Sequence, residues 1–242
     1  MKQYKVVLFD LDHTLWDFDR NSLETLTELY HHHELIQLDG LSFERFHDAF
    51  KHVNTHLWDL YDRGLLDRNV IRYQRFNLIF EHINIKHEAI AGKLAADYLV
   101  QSPTKSNLVE GALEVLDYLK QRYPLYLVTN GFTEMQSTKA RSGGIDHYFE
   151  SIITSERAGH KKPAKEIFDF ALNLSGFNSD DAIMIGDNLL TDITGGFDAG
   201  IDTVHFNPNS PHAPAEGGIA TAELESKITH KISKLVELKS IL

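Results

Sequence analysis

The chain opens on an unbroken apolar run. Lys5 to Leu11, "KVVLFDL", sets Val, Leu and Phe side by side without the polar alternation of a half-exposed strand, so it predicts a strand buried on both faces. Such strands belong to parallel sheets. From Asn21 to about Val100 the period changes to that of a helix: Phe43, Phe46, Phe50, Val53, Leu57, Trp58 and Tyr61 recur at steps of three and four and would line one stripe. The stretches Leu23 to Leu35, Val70 to Phe80 and Ala89 to Val100 read the same way, and no strand is expected among them.

After "SPTKSNLVEG" helix and strand alternate. Ala112 to Arg122 reads as helix, "PLYLVTNG" as strand, and Thr133 to Ser142 as a helix stopped by Gly143 and Gly144. "SIIT" follows as strand, then Lys165 to Leu174 as a helix with Pro163 in its first turn, then "AIMIGD" and "TVHFN" as strands. Strands that alternate with ten-residue helices make βα units, so the expected fold class is α/β, a doubly wound parallel sheet. The helical block, residues 19–102, is then an insert in a core made of residues 1–18 and 103–242. Ser210 to Gly218 is expected as a loop, and the residues from about Ile228 as a terminal helix.

Composition narrows the partners. Of 242 residues 42% are hydrophobic, enough for a sizeable core. Lys and Arg number 24 against 35 Asp and Glu, a net charge of −11, which argues against nucleic acid as the main partner. No cysteine is present, so disulfide and thiol chemistry are excluded. The first apolar run is too short for a signal peptide and no later segment approaches a membrane span, so a cytoplasmic protein without a membrane partner is expected.

The candidate chemistry lies where strands end. In a parallel α/β sheet ligands bind beyond the carboxyl ends of the strands. Three apolar runs end there in polar residues: "VVLFDLD" at Asp10 and Asp12, "LYLVT" at Thr129, and "AIMIGD" at Asp187. Two side chains two apart on an extended strand share a face, so Asp10 and Asp12 would project to one place, and Asp187 would add a third acid. Close carboxylates repel, and a shared proton or a bound cation relieves them. An all-oxygen set without thiols suits Mg²⁺. An isolated pair of strand-end acids capping a turn is the plainer reading, which the further residues at matching positions weaken.

With these motifs in order, the sequence resembles the haloacid dehalogenase-like (HAD) hydrolase superfamily. The pattern D-x-D-x-T matches Asp10, Asp12 and Thr14; the Ser or Thr that closes a strand matches Thr129 in "LVTNG"; the lysine before proline matches Lys162 in "GHKKPAKEIF"; and G-D-x(4)-D matches Gly186, Asp187 and Asp192. The resemblance implies a Rossmann-like core with an all-helical cap after the first motif, and an aspartyl-phosphate mechanism. Asp10 would be the nucleophile and Asp12 the acid and base for the leaving group and water, its carbonyl joining the metal so that its side chain stays free for proton transfer. Thr14 would support the loop, or be a mere turn threonine. Thr129, with backbone N–H groups near Asn130 and Gly131, would bind phosphoryl oxygens. Lys162 would neutralise charge, with its neighbour Lys161 facing solvent. Asp187 is the expected metal ligand, and Asp192 a second ligand through water, a group that orients Lys162, or a helix cap.

"FDLDHTLWDF", "LVTNGF" and "GGFDAGIDTVHFNP" are most similar to the bacterial pyrimidine 5′-nucleotidases of that superfamily, which implies nucleoside monophosphates as substrates. A sugar-phosphate or other small-metabolite phosphatase, or a phosphomutase, is the alternative, and a non-enzymatic phosphate-binding module a more distant one. A dehalogenase is disfavoured by Asp12 and the acid cluster. His31, His32 and His33 would diverge around a helix, which favours a solvated face over a metal site. The aromatic Trp16 beside the first motif is readable either as core or as a substrate cover.

Overall fold

Every apolar run that predicts a strand forms one, and all of them pair in parallel. The computed structural model of the protein describes residues 2–208 and 220–242; the expected loop over Ser210 to Gly218 lies outside the described residues. The strands are β1 (Val6–Phe9), β2 (Leu125–Thr129), β3 (Phe149–Thr154), β4 (Ala182–Gly186), β5 (Asp202–Phe206) and β6 (His230–Ile232). They form one sheet in the order β3-β2-β1-β4-β5-β6. This order reverses direction between β1 and β4, the switch point at which doubly wound sheets open a ligand crevice. Val6 to Phe9 are fully buried, as a strand covered on both faces requires.

The register carries the strand tips to one level. Phe9 stands opposite Leu127 on one side and Ile185 on the other, and Thr129 opposite Thr154. One residue past β1, the Asp10 amide still donates to the Ile185 carbonyl at 2.9 Å. The expected terminal helix is replaced by β6 and a 3₁₀ segment, Leu235–Ser240. The reason is the edge of β5: Thr229 donates to the Thr203 carbonyl at 3.1 Å, and Ile232, Leu235 and Leu238 bury their side chains.

Two compact units divide the chain, one of Met1–Asp17 with Ser106–Leu242 and the other Phe18–Lys105. The second unit is helical: α1 (Phe18–His32), α2 (Phe43–Asp62), a π-helical turn (Val70–Gln74), α3 (Arg75–His82) and α4 (Glu88–Gln101). Ser42 caps α2 by accepting the Arg45 amide at 3.2 Å. Of the predicted stripe, Phe46, Phe50, Val53, Leu57 and Tyr61 are buried, while Phe43 and Trp58 are half-buried. Phe46, Phe50, Phe76 and Tyr98 form an aromatic core with centroids 5.4 to 6.3 Å apart. His32 and His33 do not diverge fully, because α1 ends there; their rings meet edge to face at 4.8 Å, and His33 Nε2 lies 2.8 Å from Asp97 Oδ2, tying α1 to α4. Among the described residues no helix is long and apolar enough to cross a membrane.

The helices of the sheet unit that bear on the strand tips are α5 (Ala112–Lys120), α6 (Thr133–Ser142), α7 (Ser155–Ala158) and α8 (Lys165–Ser175). Helix α8 starts at Lys165, as read from the sequence; Pro163 lies just before its first turn, joined to Lys162 by a cis peptide bond.

Candidate active site

The tips of β1 and β4 stand side by side, so Asp10 and Asp187 meet there, and both are drawn to elements that follow other strands. Lys162 comes from the segment before α8 and is almost fully buried. Its Nζ donates to Asp10 Oδ1 and to Asp192 Oδ1, both at 2.6 Å. Burial alone would lower the lysine's pKa, but the two carboxylates overcome it and raise it. Carboxylate oxygens of Asp10, Asp187 and Asp192 lie within 4.8 Å of one another. Three carboxylates against one ammonium leave a buried excess of negative charge. Burial pushes the Asp10 carboxyl well above its usual range; Lys162 opposes this, and Asp192 and Asp187 add to it. Burial and the neighbouring Asp192 likewise push Asp187 up to about 7. The excess fits a hard cation: every donor is an oxygen, and a cation would relieve both the repulsion and the desolvation.

Asp192 belongs to a π-helical turn, Leu189–Thr194, capped by the Asn188 side chain and not by Asp192 itself. Its second oxygen accepts the Asn188 amide at 3.1 Å. One carboxylate oxygen thus meets Lys162 while the other is held by the chain before the turn. Gly186 is glycine for the same reason: a Cβ there would stand 2.2 Å from Asp192 Oδ2. Thr14 donates to Asp187 Oδ1 at 3.2 Å, so it ties the loop after β1 to the tip of β4. His205 Nε2 lies 3.1 Å from the Asp187 carbonyl oxygen.

Asn130 holds the lysine's backbone. Its Nδ2 donates to the Lys162 carbonyl at 2.8 Å and its Oδ1 accepts the Lys162 amide at 2.7 Å, a two-point clamp between the segments after β2 and before α8. The Gly131 amide, expected in an anion cradle, donates instead to Thr129 Oγ1 at 3.1 Å. Thr129 Oγ1 also accepts Gln136 Nε2 at 3.0 Å. With both lone pairs engaged, the hydroxyl proton of Thr129 is left to donate. Lys161, expected in solvent, is half-buried.

Asp12 is anchored from helix α6. Beyond it the chain turns: the Leu11 carbonyl accepts the amides of Leu15 and Trp16, and His13 takes a left-handed φ of 62°. Lys139 Nζ donates to Oδ1 at 2.5 Å and Gln136 Nε2 to Oδ2 at 2.8 Å. Burial would raise the Asp12 pKa, but Lys139 and these hydrogen bonds hold it below its usual value. Neither Gln136 nor Lys139 is singled out by the sequence reading. Trp16 is core, fully buried with Lys139 Nζ 4.4 Å from its ring centre.

Residues 4–200 match the haloacid dehalogenase-like hydrolase family. The chain belongs to that family. Among HAD-like relatives, it is 32% identical over 209 residues to the pyrimidine 5′-nucleotidase PynA of Streptococcus pneumoniae, covering 85% of each chain. It is 30% identical to the pyrimidine 5′-nucleotidase YjjG of Escherichia coli, over 98% of this chain and 96% of the other. The crystal structure of the HAD-hydrolase YfnB of Bacillus subtilis superposes with a TM-score of 0.84 at 30% identity, covering 100% of this chain and 99% of that one, and is described as bound to magnesium. HAD membership and these phosphatase relatives support activity on phosphoric monoesters.

Proposed function

We propose that this HAD-like hydrolase is a Mg²⁺-dependent phosphatase acting on nucleoside 5′-monophosphates, pyrimidine ones foremost, through a phosphoryl group carried on Asp10. The observation that carries this reading is the buried Lys162 ammonium shared between Asp10 and Asp192 beside Asp187. That arrangement keeps a carboxylate oxygen beside a positive charge at the mouth of a parallel sheet, where a phosphate would be met by Lys162 and by the Thr129 hydroxyl. Asp10, the Asp12 carbonyl and Asp187 would hold Mg²⁺, with Asp192 behind them. Bound there, the ion would neutralise charge on the phosphoryl oxygens and on the nucleophile.

In this reading Asp10 attacks phosphorus, Asp12 gives a proton to the departing oxygen, and Asp12 then takes one from the water that releases phosphate. The two nucleotidase relatives support the nucleotide as substrate, and the helical unit Phe18–Lys105 is proposed as the family's cap. The test is a panel of phosphate esters assayed with Mg²⁺. We expect release of phosphate from dUMP, dTMP and UMP in preference to sugar phosphates, lost in EDTA and in Asp10→Asn. A preference for sugar phosphates would overturn the nucleotide assignment, and full activity of Asp10→Asn would overturn the mechanism.

A further inference from the structure

Helix α6 places two polar side chains, one turn apart, where a helix packed on a sheet normally buries apolar ones. Gln136 and Lys139 are 1% and 5% exposed. Both point to Asp12 and between them they occupy both of its carboxylate oxygens, at 2.8 and 2.5 Å. The Gln136 amide nitrogen reaches Thr129 Oγ1 as well, at 3.0 Å, so one group fixes Asp12 relative to the strand β2 tip. Its other amide atom, Oε1, is buried without a hydrogen-bond partner, an arrangement that costs free energy and is kept while the nitrogen serves two acceptors. Gly131 makes room for this reach: a Cβ there would lie 1.6 Å from Gln136 Nε2. Lys139 is in turn seated against the Trp16 ring.

An aspartate on a loop has two torsions to settle, and a proton donor works only when held within hydrogen-bond reach of the departing oxygen. We propose that Gln136 and Lys139 are positioning residues for Asp12, holding its carboxyl group at the leaving-group side of the site for esters whose departing oxygen needs a proton. The proposal rests on the reading of Asp12 as acid and base. In the first step the bond from Asp10 oxygen to phosphorus forms, the bond from phosphorus to the ester oxygen breaks, and Asp12, which Lys139 holds ionised at rest and which takes up a proton from solvent beforehand, passes that proton to the ester oxygen. Water later attacks phosphorus, returns one proton to Asp12 and frees Asp10 with inorganic phosphate.

The leaving group separates this role from others. An alkyl ester such as UMP departs as an alkoxide and needs the proton, whereas p-nitrophenyl phosphate departs as a stable phenolate and does not. The measured quantity is kcat/KM, because it reports only steps up to departure of the alcohol. We expect Lys139→Met and Gln136→Ala each to lower kcat/KM for UMP about 10- to 100-fold, part of the roughly 10²–10⁴ that a placed proton donor supplies. Lys139→Met should keep kcat/KM for p-nitrophenyl phosphate within about threefold, which also shows that it folds, and Lys139→Arg should recover most of the UMP activity. Equal losses on both esters in Lys139→Met, or no loss on either, would overturn the positioning role while leaving the phosphatase reading intact. A wild-type protein that hydrolyses neither ester would overturn that reading, and the proposal with it.

Discussion

Replacing Lys162 by methionine keeps the aliphatic stem and removes one buried positive charge with its two 2.6 Å hydrogen bonds. What remains is Asp10, Asp187 and Asp192 with oxygens within 4.8 Å of one another and no counter-charge from this lysine. Breaking a buried ion pair by deleting one partner costs about 3–5 kcal/mol, chiefly because the other partner is left charged in a poor solvent. Two lost hydrogen bonds to charged groups, at about 1.5–3 kcal/mol each, give a similar figure. For a chain of this size that corresponds to a fall in Tm of about 6–20 °C, at about 2–4 °C per kcal/mol.

The loss must depend on pH. Without Lys162 the native carboxyls titrate higher than in the unfolded chain, so the native state holds more protons and stability falls as pH rises. Urea unfolding of EDTA-treated wild type and Lys162→Met, at pH 5.5 and pH 8, measures this; the gap should be widest at pH 8. Adding Asp192→Asn to Lys162→Met should recover part of the loss, because one unpaired charge disappears. A gap below about 1 kcal/mol at pH 8, or a double variant no better than the single, would refute the reasoning.

Two further outcomes follow from the same cluster. In metal-free protein the Asp187 carboxyl, raised to about 7, keeps its proton over a range in which the unfolded chain has lost it, so stability declines from about pH 4 toward pH 7. Mg²⁺ then competes with that proton, and the Tm rise on adding Mg²⁺ should be larger at pH 8 than at pH 5.5; a rise independent of pH would contradict it. Gly186→Ala should destabilise by about 1–3 kcal/mol and abolish activity, since its Cβ must displace Asp192, whereas Gly92→Ala, in mid-α4 with open space around it, should stabilise by about 0.5–1 kcal/mol; thermal melts of both variants decide.

Much of the site is legible in one dimension because it stands at strand ends. β1, β2 and β4 announce themselves as apolar runs, and the polar residue that closes each lands at the sheet's mouth. The partners of Asp12 are harder to read. Helix α6, "TEMQSTKARS", looks solvated throughout, yet Gln136, Lys139 and Ala140 fall at the spacing of a buried stripe. The period was present; the residue types disguised it. Asn130 was readable as part of a turn, but its clamp on Lys162 joins segments thirty-two positions apart that only the fold brings together. β6 is not legible in the sequence because Ile232, Leu235 and Leu238 also suit a helix face, and the need of β5 for an edge partner is a tertiary fact.

The strand that leads into Asp10 is made before either of its partners. Val7 pairs with Leu125 on one side and Ile183 on the other, so the central ribbon waits for distant chain, while the helical unit between them closes on its own neighbours. During synthesis the insert can therefore acquire its aromatic centre while β1 is still single. A nascent chain stopped before Ala182 lacks both Asp187 and Asp192, whatever else it has folded. Competence for chemistry therefore waits until synthesis has passed Asp192, long after Asp10 and the helical insert have been made.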